Sequence, residues 1–279
     1  MIAKYSRRLI AIKSRPFVVA YDIDLHRWAG PEMTIVVLAD LHVVAPWTSL
    51  QLVADVVRQI NDLSPDMIVL GGDYLVGNTI PGTHAKAEEI VAVLRDLSAP
   101  LGVFAIMGNH DWMDCTLARK SGFERSSVVE AFEPTSMNLM RNVSAKVEHG
   151  GHPLWVVGLD SQNPGHRKWK SGRHRPEQGF ADVPADAPAI LLAHEPDYFA
   201  KDDTRAGLQI SGHTHGGQLN LFGWRPMTPS QYGSKYAYGH IQDGFRNLVV
   251  SGGLGFSGLP MRIGQAPEIT LIRVRAGKA

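Results

Sequence analysis

The sequence predicts an α/β chain in which an early parallel sheet is followed by a second, mixed sheet. Three observations lead there. The first half holds continuous apolar, β-branched runs, clearest in Thr34–Ala39 (TIVVLA) and Met67–Leu70 (MIVL), as expected of strands buried on both faces. Amphipathic helical stretches separate those runs. In the second half, shorter strand-like segments are divided by turns rich in Gly and Pro.

Each element follows in order. Phe17, Val19, Tyr21, Ile23 and Leu25 alternate with more polar neighbours, a half-buried strand pattern. Thr34–Ala39 is the next strand. Thr48–Leu63 places Leu52, Val53, Val56, Val57 and Ile60 on one helical stripe behind a Thr/Ser cap. Met67–Leu70 is a strand, Thr83–Leu97 a second helix with Ile90, Val91, Leu94 and Leu97 on one face, and Gly102–Met107 a third buried strand. Strand–helix repetition implies parallel strands with right-handed crossovers, and functional loops beyond their carboxyl ends. Leu154–Gly158, Ala189–Ala193, Gly207–Ile210, Asn247–Ser251 and Glu268–Val274 read as strands of the second sheet. Short helical pieces are expected around Ser126–Phe132 and Pro196–Ala200. With no low-complexity linker and no solenoid repeat, residues 1–279 read as one domain, of which 1–16 form a basic N-terminal extension.

Hydrophobic residues make up 44% and charged residues 20%, a soluble globular composition. A net charge of +1 gives no global bias toward nucleic acid. The single cysteine, Cys115, excludes an internal disulfide framework and any zinc site built from several thiolates. No apolar run reaches the ~18–20 residues of a spanning helix. Lys4, Arg7, Arg8, Lys13 and Arg15 all precede the first acidic residue, Asp22, with Leu9, Ile10 and Ile12 among them. Lys13, Arg15 and Pro16 cut that apolar stretch short, which argues against a signal peptide. Two accounts of this segment stay open: a solvated, frayed terminus, or a basic surface that touches anionic lipid. The expected location is cytoplasmic, at the inner face of the membrane under the second account.

Every predicted strand that bears on chemistry ends in a polar cluster. The sequence places Asp40-Leu41-His42 after the first buried run, Gly71-Gly72-Asp73 after the second and Gly108-Asn109-His110-Asp111 after the third. His194 follows Leu191–Ala193, and Gly212-His213-Thr214-His215-Gly216-Gly217 follows Gln209–Ser211. Carboxylate, imidazole and amide oxygen together suit divalent Mn, Fe or Zn, manganese being favoured. In an extended segment, residues i and i+2 point the same way, so each Asp-x-His or His-x-His pair can reach one cavity. Asp40, His42, Asp73, Asn109, His194, His213 and His215 are too many donors for one tetrahedral ion. Two ions about 3.5–4 Å apart sharing a carboxylate are the natural solution.

The blocks LADLH (38–42), GGDY (71–74), GNHD (108–111), LLAHEPDY (191–198) and SGHTHGGQ (211–218) resemble the calcineurin-like metallophosphoesterases. The closing block, SGGLGFSGLPMRIGQAPEITLI, is similar to one bacterial branch of that family, with phosphodiesterase-like and lipid-sugar pyrophosphatase-like members. The resemblance implies a four-layer αββα sandwich of two packed mixed sheets flanked by helices. It implies that Asp40, His42, Asp73 and His215 hold one metal, that Asp73, Asn109, His194 and His213 hold the other, and that His110 is the non-ligand histidine beside the phosphate. No ligand position is substituted. Segments 112–136 and 160–186 match nothing specific.

The expected function is hydrolysis of a phosphodiester or pyrophosphate by a hydroxide bridging two cations, with His110 protonating the departing oxygen. The expected substrate is a small-molecule or lipid-linked phosphate ester. Phosphomonoester or phosphoprotein hydrolysis is the close alternative, and a silent protein-binding scaffold is an alternative of another class. A nuclease would need a broad basic groove with stacking aromatics, which the near-neutral charge does not favour.

Gly253–Gly258 fits the dinucleotide pattern GxGxxG after a strand, yet Leu259-Pro260-Met261-Arg262 follows where a helix is required. A glycine-rich loop bordering the metal site is expected instead. The cationic stretch Gly165–Arg175, with Arg167, Lys168, Lys170, Arg173 and Arg175 around Trp169, reads as a solvated loop, or as a contact for a phosphate-rich substrate or lipid headgroup. Cys115 reads as a structural thiol.

Overall fold

The structure, a computed structural model, describes residues 10–11, 15–77, 79–163 and 172–277. Most of the basic N-terminal extension and of the cationic stretch, including Arg167, Lys168, Trp169 and Lys170, lies outside the described residues.

Twelve strands form two six-stranded sheets. They are β1 (Phe17–Leu25), β2 (Met33–Leu38), β3 (Met67–Leu70), β4 (Val103–Ala105) and β5 (Asn138–Leu139). There follow β6 (Val143–His149), β7 (His152–Gly158), β8 (Ala189–Leu192), β9 (Leu208–Ser211), β10 (Gly239–Asp243), β11 (Arg246–Val250) and β12 (Glu268–Ala276). The first sheet runs β1-β12-β2-β3-β4-β5 and the second β10-β11-β9-β8-β7-β6. As expected from the strand–helix repetition, β2, β3 and β4 are parallel neighbours, with Ile35 opposite Met67 and Ile68 opposite Val103.

Side-chain alternation joins the layers. Ile35, Val37, Met67, Val69 and Phe104 face inward and pack on Leu154, Val156, Ile190, Leu192 and Ile210 of the second sheet. Val36, Leu38, Ile68 and Leu70 face outward onto helices α1 (Leu50–Asp62) and α2 (Ala87–Leu94). The outer face of the second sheet is covered by short pieces: Phe180, Tyr198 and Ala206 lie over Val157 and Leu191, and Phe199 and Tyr236 over Leu248 and Val250. The result is an αββα arrangement whose second helical layer is thin.

Three expectations change. The C-terminal strand does not join the second sheet. It inserts into the first, parallel to β1 (Glu268 opposite Phe17) and antiparallel to β2 (Thr270 opposite Val37). Its apolar run fits a buried slot equally well in either sheet, so periodicity alone does not choose. The second helix begins at Ala87 rather than Thr83, because Thr83–His84 pairs with Val44–Ala45. Lys86 then takes an extended conformation as N-cap, its N–H held by Glu89. Finally, β5, β6 and β10 were not expected: β5 is a two-residue strand beside β4, and β6 and β10 are partly polar hairpin arms against more apolar neighbours.

Candidate metal centre

The loops after β2, β3, β4, β8 and β9 meet at one edge of the sandwich and carry all eight expected site residues there. Buried and half-buried donors that could hold a cation fall into three groups: Asp40, His42 and His215; Asp73, His194 and His213; and His42, Asp73 and His110, which overlaps the other two. Among the described residues, no histidine outside the polar strand-end clusters joins such a group.

Local backbone geometry makes this convergence possible, in a way spacing did not anticipate. Asp40, His42, Asp73, His213 and His215 all have positive φ, between 44° and 71°. Such conformations disfavour side chains with a Cβ and persist where surrounding structure enforces them. The pairs Asp40/His42 and His213/His215 are therefore not extended, as the i, i+2 rule assumed. His213 and His215 consequently reach different groups. Glycines permit the close approach: a Cβ on Gly108 would lie 2.2 Å from Oδ1 of Asp73, and one on Gly212 would lie 2.7 Å from Oδ2 of Asp40.

Hydrogen bonds fix how the donors present themselves. His42 donates from Nδ1 to the carbonyl of Leu75 (2.9 Å), and His194 donates from Nδ1 to that of Gly71 (2.7 Å). When neutral, each ring thus keeps its Nε2 lone pair for the site. These two Nε2 atoms lie 3.6 Å and 3.1 Å from the same carboxylate atom, Oδ2 of Asp73. The other oxygen of Asp73 accepts from the His110 backbone N–H at 2.8 Å. Likewise Oδ1 of Asp40 accepts from the His213 N–H at 2.8 Å, and Nδ1 of His213 lies 2.8 Å from Oδ1 of Asn109. Oδ2 of Asp40 and Nε2 of His194 are buried without a well-directed hydrogen-bond partner. Buried acceptors facing one another are costly unless cations lie between them, so this donor set fits bound divalent ions.

The electrostatics carry the same signature. Burial pushes Asp40 up to about 7 although the His194 charge opposes it. For His194, burial works against the ring's charge, yet Asp73 beside it raises the pKa well above the usual histidine range. Burial holds His42 down at about 3 and depresses His213 and His215 as well. His110 keeps a raised pKa despite burial, through Asp73 and the Asp114 carboxylate that accepts from its Nδ1.

Supporting residues complete the site. Asp111, given no catalytic role from sequence, clamps two loops: one oxygen accepts from the N–H of Asp73 and Gly108, the other from Tyr74 and Leu75. Burial pushes its pKa up to about 7, but four N–H donors on its two oxygens favour the carboxylate. Sequence reasoning missed Asp114 and Arg262. Asp114 carried the signal of being i+4 from His110; Arg262 carried none. Gly253–Gly258 does border the site, with Leu254 N–H on the Ala39 carbonyl and Gly255 N–H on that of Asp40. Cys115 is buried and caps the helix Thr116–Lys120. An open cleft of about 610 Å³ leads to the centre, lined by Asn109, His110, His213, Gln218 and Met227.

A family model described as calcineurin-like phosphoesterase matches residues 33–217. An uncharacterized metallophosphoesterase of Bacillus subtilis, YkuE, is 30% identical over 244 residues, 87% of this chain and 79% of that protein. Phosphodiesterase YaeI of Escherichia coli is 28% identical over 246 residues, 86% of this chain and 81% of that protein. A bovine transmembrane protein with a metallophosphoesterase domain is 28% identical across 94% of this chain, which spans only 57% of that relative. Among solved structures, a dimetal phosphatase from Danio rerio aligns with a TM-score of 0.45 at 12% identity, covering 80% of this chain and 88% of that one.

Proposed function

The chain belongs to the calcineurin-like phosphoesterase family, and we propose that it is a hydrolase cleaving a phosphodiester or pyrophosphate bond with two divalent transition-metal ions. The observation that carries this reading is Asp73: its Oδ2 faces Nε2 of His42 in one donor group and Nε2 of His194 in the other. Asp40, His42, Asp73 and His215 would hold one ion, and Asp73, Asn109, His194 and His213 the second. The mixed carboxylate, imidazole and amide donors suit manganese, iron or zinc, and manganese is the ion we propose. Such ions, when bound, polarise phosphoryl oxygens and lower the pKa of water.

The chain's own residues supply the rest. His110 is paired through Nδ1 to Asp114, which leaves Nε2 as its proton-exchanging atom. The carboxylates of Asp73 and Asp114 favour the protonated ring, so His110 is set to donate to the departing oxygen. Asp111 keeps the two loops bearing Asp73 and His110 in register. The Escherichia coli relative is named a phosphodiesterase, which supports the diester reading.

Turnover of bis(p-nitrophenyl) phosphate and p-nitrophenyl phosphate by manganese-loaded protein tests this. Faster diester cleavage supports the reading. Preference for the monoester makes the protein a phosphomonoesterase, and metal binding without turnover of either ester or of a nucleoside diphosphate sugar makes it a scaffold.

A further inference from the structure

The chain from Leu219 to Met227 leaves the metal-site loop and returns beside the cleft, and its tip is apolar and exposed. Leu221 and Trp224 bond each other's backbone in both directions, at 2.9 Å and 3.1 Å. Between them Phe222 and Gly223 both have positive φ, 55° and 100°. That is the geometry of a tight hairpin turn, at whose first central position Asn, Asp or Gly is favoured. Phe222 instead stands there with its side chain fully in water, and Trp224 is 65% exposed. Neither chain folding nor hydration favours phenylalanine at such a position. A partner that takes up the ring does. Leu221, Met227 and Leu259 add to the exposed apolar surface.

The turn is fixed to the site. Nε of Arg225 donates to the Gly216 carbonyl at 3.0 Å, and Arg225 packs where a Cβ on Gly217 would sit. Pro226, Met227 and Thr228 line the same cleft as His110 and His213. The base of the turn also meets the N-terminal segment. Ile263 bridges Leu219 on one side and pairs with Ile10 on the other, and Ala11 pairs with Arg262. Arg7, Arg8 and Lys13 lie within three residues of that paired dipeptide along the chain. An apolar, aromatic turn thus stands on the edge that carries the cleft, and the chain on either side of the dipeptide paired at its base is cationic in sequence, the combination by which peripheral proteins sit in an anionic lipid interface.

We propose that the Leu221–Trp224 turn docks this protein on an anionic lipid bilayer and presents the cleft to phosphate esters borne by lipids. The docking stands on the exposed turn alone; the lipid-borne substrate rests on the phosphohydrolase reading above.

The test compares the full chain with Phe222→Asn and with Phe222→Ser/Trp224→Ser. Each is co-sedimented with vesicles of phosphatidylcholine containing phosphatidylglycerol at low salt, and each is assayed on soluble bis(p-nitrophenyl) phosphate. Asn suits the left-handed position, so Phe222→Asn should melt no lower than wild type. Wild type should partition to the vesicles, and the double variant roughly tenfold or more weakly, as the loss of two aromatic anchors requires. Soluble diester turnover should be unchanged. Equal partition of all three proteins, absence of wild-type binding, or self-association through the turn in place of vesicle binding would overturn the docking. Vesicle binding that survives without any ester hydrolysis would leave the docking standing and remove the phosphohydrolase reading.

Discussion

Arg262 donates from Nη2 to Nδ1 of His215 across 3.1 Å, with both side chains buried. A guanidinium cannot accept, so in the metal-free site Nδ1 is the acceptor and Nε2 carries the ring proton, which an ion bound through Nε2 would have to displace. That atom lies 3.1 Å from Nε2 of His42. The same guanidinium holds the carbonyls of Gly252 (2.6 Å) and Gly255 (2.6 Å), tying the glycine-rich loop to the loop of His213 and His215.

Arg262→Met should therefore strand buried carbonyls and loosen His215. The expected loss is about 3 kcal/mol of stability, the range for breaking a buried charged network, with lower metal occupancy. Arg262→Lys should recover part of the stability but not the fork that reaches both loops. Urea denaturation of the three proteins checks this, and superimposable curves would remove the role assigned to Arg262.

Asp73→Asn should harm both donor groups at once, because Oδ2 of Asp73 faces a histidine of each. Elemental analysis is expected to find up to two ions per chain in wild type and a marked loss in the variant. Chelation should abolish hydrolysis and added manganese restore it. Full activity after dialysis against excess EDTA would end the metal reading.

His110→Ala should keep most of the metal while kcat falls by about 10²-fold or more, the range for a lost acid–base group. Asp114→Asn should lower kcat by a smaller factor and leave KM nearly unchanged, since Asp114 acts only through the His110 ring. If His110→Ala proves as metal-poor as Asp40→Ala, His110 is a ligand and not the proton donor.

Gly108→Ala brings a methyl to 2.2 Å from Oδ1 of Asp73. The Asp73 backbone nitrogen, 2.6 Å from that methyl, cannot rotate aside, so Asp73 must move and metal affinity should drop well before the fold is lost. Ala at Gly122, which has open space around it, serves as the control, with its strain confined to a positive φ of 66°. Metal titration followed by calorimetry distinguishes the two, and equal affinities would refute the cradle.

The sequence by itself determined the strands that carry the site and the donors they deliver. Thr34–Ala39, Met67–Leu70 and Gly102–Met107 read as buried strands because continuous β-branched runs have few other stable placements, and each ends where Asp40, Asp73 and Asn109 stand. Tertiary structure alone decided the rest. The left-handed backbone at Asp40, His42, Asp73, His213 and His215 is imposed by neighbouring loops against each residue's own preference, so no local pattern announces it. The insertion of Glu268–Ala276 between β1 and β2 depends on pairing partners some 230 to 250 positions away in sequence. Arg262 sits beside His215 for the same reason: 47 residues separate them. Periodicity encodes which face of a segment is apolar, whereas which distant segment covers that face is settled only when the whole chain packs.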